Sequence, residues 1–316
     1  MAASIDVVVP VHDNYQLTDR CLAHLAAQTV AHEVIVVDDG SSDGTPERLH
    51  REWPAARVLE LGTNQGYTRA VNRGVEAGSG EYVVLLNNDV ELEPEALERM
   101  LAPLREDEWV GSVASVMLAP DGDAIDSVGV SADVTLAGFA RLQGSPRQSA
   151  GSPTPVLAGP EGTAGAYRRS AWEGVGGLDE RIEAYMEILD LALRLRSAGW
   201  ASVVAREAVG VHLGSRSYGR RSGAQRRLAG FSRGYLLRRY GVLRRRSGAR
   251  AVLTEAIVVL GDALLCRDLQ ALAGRREGWR AGTGLPRHPW PPDEALDSSI
   301  TLRRSLALRS GAIAGR

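Results

Sequence analysis

Three apolar runs in this chain stop abruptly in polar groups. "VVVPVH" closes on Pro10, Val11 and His12; "VIVVDDGSSDGT" closes on Asp38, Asp39 and the small residues after them; "YVVLLNND" closes on Asn87, Asn88 and Asp89. Asp, Gly and Ser are ordinary turn and helix-cap residues, so any one of these ends read alone is equally a turn. Together they supply carboxylate and amide oxygens, hard donors that suit Mg²⁺ or Mn²⁺ on a diphosphate better than Zn²⁺. His212, in "AVGVHLGSRSYG", closes another short apolar run, although a lone histidine at such a place is more often structural than a ligand. No Gly-x-Gly-x-x-Gly follows the first run and no Walker loop occurs anywhere, which removes the glycine-cradle modes of binding a dinucleotide or a triphosphate.

The elements that must carry these groups alternate. Val- and Ile-rich runs are separated by helical patterns through the first 120 residues or so, and such alternation predicts a parallel α/β sheet flanked by helices. In an open sheet of that kind ligands sit beyond the carboxyl ends of the strands. The three polar endings therefore fall on one sheet edge and form one site. The helix after Glu93 is signalled by Pro94 in its first turn and by Leu97, Met100, Leu101 and Leu104 on one stripe. From about 119 to 165 Gly, Ser and Pro break the pattern into loops and a hairpin. A helix resumes around 184 to 198, and there is no internal repeat.

Composition bounds the class. The chain has 316 residues, 44% of them apolar and 24% charged, as expected of one large globular domain with an appendage or of two domains. Cys21 and Cys266 are too few for a disulfide framework, and a reducing cytoplasm is the expected compartment. No leader is expected, because the chain runs directly into "IDVVVPV". The longest apolar candidate, 251 to 266, contains Glu255 and Asp262 and is too short to cross a bilayer. Every basic residue is Arg, a compositional bias without functional content. The net charge of −2 hides an uneven distribution: residues 206 to 250 hold thirteen Arg against the single acid Glu207.

The stretches "VVVPVHDN", "VIVVDDGSSDGT", "NQGYTRAVNRGVEAGSGEYVVLLNND", "GVGGLDERIEAYMEILDLALRLRSAGW" and "VHLGSRS", in this order over roughly residues 5 to 218, resemble the family 2 glycosyltransferases, inverting nucleotide-sugar enzymes of GT-A fold. The similarity is to the bacterial rhamnosyl and galactofuranosyl type. It implies a Rossmann-like, mostly parallel sheet over residues 1–215. It implies that Pro10, Val11 and His12 lie against the base of a UDP- or dTDP-sugar and that Asp39 accepts a hydrogen bond from the uracil or thymine ring. Asn64, Gly66 and Asn72 match the segment around the nucleotide, with Asn87 and Asn88 beside it. Asp89 matches the metal-binding acid, His212 a histidine near metal and diphosphate, and the implied cofactor is Mg²⁺ or Mn²⁺. Asn87 departs from the first acid of the commoner motif, so one charge is missing from the implied metal site.

The same resemblance credits the position of Ile188 with deprotonating the acceptor, and isoleucine cannot take a proton. Glu187 and Asp190 remain as candidates, the first as the base and the second orienting the acceptor or Arg194; the competing reading is an amphipathic helix with a charged outer side. Residues 216–316 are expected to form a basic helical extension with a loosely ordered tail from about 281. Arg interleaved with Leu228, Phe231, Tyr235 and Tyr240 between 216 and 250 predicts a helix lying on an anionic membrane, on the inner face of the cell membrane. Nucleic acid is not expected as a partner, since no recognisable module accompanies the stripe. The function expected is sugar transfer to a hydroxyl of a glycan, lipid-linked or secondary-metabolite acceptor. The alternatives are a nucleotidyltransferase, which would need a basic, Gly-rich N-terminal loop that is absent, and a binder that has lost its base.

Overall fold

The structure, a computed structural model, describes residues 4–214 and 222–310. β1 (Ile5–Val11), α1 (Tyr15–Ala26), β2 (Glu33–Asp38), α2 (Thr45–Glu52), β3 (Arg57–Glu60), α3 (Tyr67–Ala77) and β4 (Tyr82–Leu86) alternate as the sequence pattern predicts. Their parallel registers, Val8↔Ile35 and Val8↔Leu85 among them, make β1 a central strand with apolar side chains buried on both faces. After the short β5 (Val90–Leu92) come α4 (Ala96–Glu106), β6 (Val110–Leu118), β7 (Ile125–Ser127), β8 (Val130–Ala132), β9 (Gly138–Ala140), β10 (Ala164–Arg168), α5 (Arg169–Gly174), α6 (Glu187–Ser197) and β11 (Ala201–His212). The main sheet runs β3-β2-β1-β4-β10-β6-β11-β5, with β7 paired to β6, while β8 and β9 form the separate hairpin expected in the irregular zone. β10 lies antiparallel between β4 and β6, β5 antiparallel to β11 and β7 antiparallel to β6, so the sheet is mostly parallel with three reversed strands.

Helices cover both faces. α4 buries the predicted stripe of Leu97, Met100, Leu101 and Leu104 against one side, and α3 and α6 close the other with Val71, Val75, Leu191 and Leu195. α6 starts at Glu187, later than expected, because Tyr185 and Met186 both adopt left-handed backbone (φ 63° and 66°) that no helix accommodates.

The C-terminal part corrects three expectations. α7 (Gly223–Arg239), α8 (Gly248–Cys266), α9 (Gln270–Ala281) and α10 (Leu302–Ser310) are not an appendage: Tyr235, Leu236, Tyr240 and Ala251 share one core cluster with Ala132, Ile182, Leu189 and Leu193 of the body. The chain beyond 281 is not loose, since Ala295 and Ile300 are fully buried and Asp297 accepts from Val156 N (2.8 Å). The basic stripe is not a solvated amphipathic surface either. Tyr235 and Tyr240 are buried, with Phe231 stacked on Tyr235, and several of its guanidiniums are spent on partners within the chain, Arg227 on Glu277, Arg233 on Glu255, Arg239 on Tyr235 and His288 and Arg250 on Asp133, while Arg244, Arg245 and Arg246 stay exposed. Arg216, Arg220 and Arg221 lie outside the described residues.

α7 and α9 touch backbone to backbone. Gly230 and Gly234 on one helix face Gly274 and Gly278 on the other, and a Cβ at any of the four would overlap a carbonyl or main-chain atom of the opposite helix. Gly274→Ala is therefore expected to cost at least about 1–3 kcal/mol, the usual penalty of overpacking, with a lower urea midpoint as the readout. An unchanged midpoint would show that the two helices do not pack this closely.

Candidate active site

Two cavities open at the carboxyl ends of the strands and meet at Tyr67 and Asn87, which line both. The first, about 570 Å³, is lined by Pro10, Val11, His12, Asp39, Asn64, Gly66, Asn87, Asn88 and Asp89, so nine residues singled out in the sequence come together. The second, about 520 Å³, is walled by Val130, Phe139, Met186, Ile188 and Leu189 and carries two carboxylates, Glu161 and Glu187.

In the first cavity the loops are locked to one another by side chains. Asp39, almost fully buried, accepts from Gln65 N (2.6 Å) and Gly66 N (2.9 Å), one oxygen each, which fixes the turn before α3 beneath the end of β2. Each carboxylate oxygen keeps a second lone pair for a further donor. Gly40 makes this approach possible: it sits at φ 76°, and any Cβ there would strike the Thr63 backbone at 2.5 Å. Asp13 N donates to Ser41 Oγ (2.7 Å) and Asn14 N to Asp43 Oδ2 (2.8 Å), tying the β1 and β2 loops together. Asp13 and Asn14 are themselves left-handed, at φ 58° and 63°. Such strain persists only where the surroundings over-determine it, and it flanks both cavities here. His12 Nδ1 donates to the Asp39 carbonyl (2.9 Å).

Asp89 follows β4 and is 2% exposed. The antiparallel pairing of β11 with β5 sets His212 opposite Val90, which brings His212 Nε2 to 3.3 Å from Asp89 Oδ2. The other ring nitrogen, Nδ1, donates to Asp126 Oδ2 on β7 (2.8 Å). Burial opposes charge on this ring, but the Asp126 and Asp89 carboxylates outweigh it and carry its pKa up to about 10. Asp126 was not legible as a site residue; nothing along the chain links it to a position 86 residues later. Asn88 Nδ2 donates to the buried Thr18 Oγ1 (3.0 Å), which orients that amide.

Two expected positions lie elsewhere. Asn72 is outside both cavities: its amide donates to Leu178 O (3.0 Å) and accepts from Leu178 N (3.0 Å), strapping α3 to the segment before α6. Asp190 has no exposed surface, accepts from Arg194 Nε (2.7 Å) and from Tyr240 Oη (3.0 Å), and reaches neither cavity. It is bonded to Arg194 in the interior, and the face it shares with Arg194 is buried where a charged outer side was the alternative. Ile188 is buried in an apolar cluster with Leu191 and Leu195, so a carboxylate placed there would be desolvated.

Glu187 is presented at the cavity by the left-handed pair before it, and its Oε2 is buried without a hydrogen-bond partner among the described residues. Burial is the main cause that lifts its pKa to about 7; its own backbone N–H at the helix start opposes the rise, and the Glu161 carboxylate adds to it. Glu161 is held by Thr163, whose N donates to Glu161 Oε2 (2.9 Å).

The sequence model of glycosyl transferase family 2 matches residues 6–173, more than half of the chain. The chain belongs to that family. The transferase is 32% identical over 225 residues to the N-acetylglucosaminyl-diphospho-decaprenol L-rhamnosyltransferase of Mycobacterium tuberculosis, covering 64% of this chain and 73% of that protein. It is 29% identical over 221 residues to the O-antigen biosynthesis protein RfbC of Myxococcus xanthus, covering 66% of this chain and 17% of the other. In fold it is similar to the mannosyltransferase PcManGT of Pyrobaculum calidifontis, solved with GDP-Man and Mn²⁺ (TM-score 0.55, 19% identity, 97% of this chain and 86% of that one). It is also similar to GalNAc-T7, solved with UDP, GalNAc and Mn²⁺ (TM-score 0.61, 14% identity, 99% and 58%). The fold is thus the GT-A arrangement that the resemblance implied, and the transferase is a glycosyltransferase.

The Glu187 carboxyl prefers to be neutral in the folded chain, so its contribution to stability is fully present below the unfolded value of 4.5 and is lost as pH rises through about 7. Glu187→Gln is therefore expected to melt higher than the wild type at pH 8, by about 1–3 kcal/mol, with the gap closing below pH 4.5. Equal melting curves across that range would mean that the carboxylate is not desolvated.

Proposed function

We propose that the transferase is an inverting enzyme that moves a sugar from a UDP- or dTDP-sugar to an acceptor hydroxyl, with Glu187 as the general base. The observation that carries this is the junction of the two cavities: a polar one at the strand ends, suited to the nucleotide and diphosphate, meets at Tyr67 and Asn87 an apolar-walled one holding a carboxylate of pKa about 7. A base poised near the working pH is the efficient choice for proton transfer.

Pro10, Val11 and His12 would flank the nucleobase and Asp39 would accept from its ring N–H. Asn64, Gly66, Asn87 and Asn88 would line the ribose and diphosphate. Asp89 and His212 would hold a hard divalent cation, Mg²⁺ or Mn²⁺, with the imidazole giving up its Nε2 proton on binding: the Nδ1–Asp126 bond is the outer carboxylate contact that metal-binding imidazoles carry, and Nε2 lies beside the Asp89 carboxylate. Such a cation supplies charge neutralisation to a departing diphosphate. In the transfer itself, the acceptor oxygen bonds to the anomeric carbon as the carbon–oxygen bond to the diphosphate breaks, and the hydroxyl proton passes to Glu187. Attack from the face opposite the leaving group inverts the anomeric centre.

The acceptor we favour is a lipid-linked glycan, over a free glycan or a secondary metabolite. The mycobacterial relative is named for a decaprenyl-diphosphate acceptor, and apolar and aromatic groups dominate the wall of the second cavity. Attachment to the cytoplasmic face of a membrane would follow.

Glu187→Gln should lower turnover by roughly two to four orders of magnitude while UDP or dTDP binding stays intact, and the rising limb of the pH–rate profile near 7 should disappear. Full activity in this variant would remove Glu187 as the base; a wild type that binds nucleotide but turns over no donor would make the chain a degenerate binder.

Nucleotide binding followed by calorimetry should need a divalent metal and should weaken at least tenfold in Asp89→Ala. Tight binding that survives EDTA would exclude the metal role.

A further inference from the structure

α8 is built inside out. Its inward face carries Thr254 and Glu255, both buried, and Glu255 is gripped by Arg233 (2.7 Å), Arg275 (2.7 Å) and Arg309 (2.8 Å). Despite burial, these three guanidiniums hold the Glu255 carboxyl far below the usual carboxylate range. The outward face is apolar along its whole length: Val252, Leu253, Ile257, Leu260 and Leu264 recur at helical spacing, between 41% and 71% exposed. Nine large apolar side chains are exposed among the described residues, and eight of them fall between Leu243 and Leu269. A contiguous patch of this kind on a chain that elsewhere buries its leucines marks a surface that another phase or molecule covers.

Charge decides between occupants. Arg244, Arg245 and Arg246 stand exposed immediately before α8, and none of the three makes an ion pair among the described residues. A second copy of this chain laid on the same face would bring more leucines and, from α8, only the partly exposed Asp262 against three arginines. An anionic bilayer supplies both an apolar layer for the leucines and phosphates for the arginines. At about 1.5 Å per residue α8 is long enough to lie along a surface, and no helix among the described residues is long and apolar enough to cross a membrane.

The helix is also tied to the second cavity. Arg250 Nη2 donates to Asp133 Oδ2 (3.1 Å), and Arg233, the partner of Glu255, donates to the Leu136 carbonyl (2.8 Å). That loop leads directly into β9, whose residues 138 to 140 wall the cavity.

We propose that the outward face of α8, with Arg244–Arg246, seats the transferase in the surface layer of an anionic phospholipid membrane and so holds the acceptor cavity at the lipid interface. The consequence for acceptor choice rests on the proposed transfer to a lipid-linked hydroxyl; the attachment itself does not.

The test is co-sedimentation of the full chain with phosphatidylcholine vesicles with and without phosphatidylglycerol, alongside hydrogen exchange of residues 252–265. The wild type should bind the anionic vesicles, partly release in salt, and show slowed exchange in that segment only when vesicles are present. Leu260→Glu/Leu264→Glu and Arg244→Ala/Arg245→Ala/Arg246→Ala should each bind at least tenfold more weakly. Absence of binding by the wild type, protection confined to other segments, or undiminished binding by the folded leucine variant overturns the proposal. So does sedimentation equilibrium showing a wild-type dimer that the leucine variant dissolves, because the face would then be covered by a second copy. Donor hydrolysis in solution is measured in parallel; its loss in the wild type would count against the transferase reading and leave the vesicle result standing.

Discussion

The antiparallel insertion of β10 between β4 and β6 is the constraint on which the site depends. Pairing of Ala164 with Leu86 brings the Glu161–Thr163 loop alongside the end of β4, and Asn87 N donates to the Thr163 carbonyl at 2.9 Å. Without this strand the cavity of the first half and the cavity of the second would not share a wall. The hydrogen-bonded ladder makes the junction rigid, as a site does when it must hold a nucleophile and a leaving group in register. The reversed β10 thus joins the two cavities.

Two carboxylates of the site sit in contrasting surroundings. Asp89 is placed beside the His212 imidazole, with Asp126 on the ring's other nitrogen, whereas Glu187 is desolvated next to another acid, which lifts its pKa to about 7. Different surroundings for like groups are how acid, base and ion-binding roles can separate on one scaffold. The left-handed residues before α1 and before α6 are part of the same economy of position: Asp13 and Asn14 aim one loop and Tyr185 and Met186 aim Glu187, each held by the packing around it.

The C-terminal helices invert the usual distribution of polarity. Arg233, Glu255, Arg275 and Arg309 form a network in the interior, while the leucines of α8 face outward. A buried charge cluster adds little net stability, since desolvation offsets much of its attraction, but removing one partner strands the others. Its effect is to fix the rotation of α8, and the glycine-lined contact of α7 with α9 fixes the platform on which α8 is set.

The alternation of apolar runs and helices, the edge where Asp39, Asn87, Asn88 and Asp89 collect, and the stripe on α4 were legible in the sequence because local periodicity and strand-end chemistry are local properties. The same local reading could not place Asn72 and Asp190, whose partners Leu178 and Tyr240 lie 106 and 50 residues away, nor show that Tyr235 of α7 packs into the core. A helical period says that a face exists but not which neighbour covers it. Asp126 and His212 meet only because β7, β6, β11 and β5 are neighbours in one sheet, an order that long-range pairing sets. The amino-acid sequence by itself thus determined the fold class and the polar strand ends, through short-range chemistry. The tertiary structure alone decided which carboxylate is desolvated and which leucines are left outside, because both depend on what the rest of the chain packs against them.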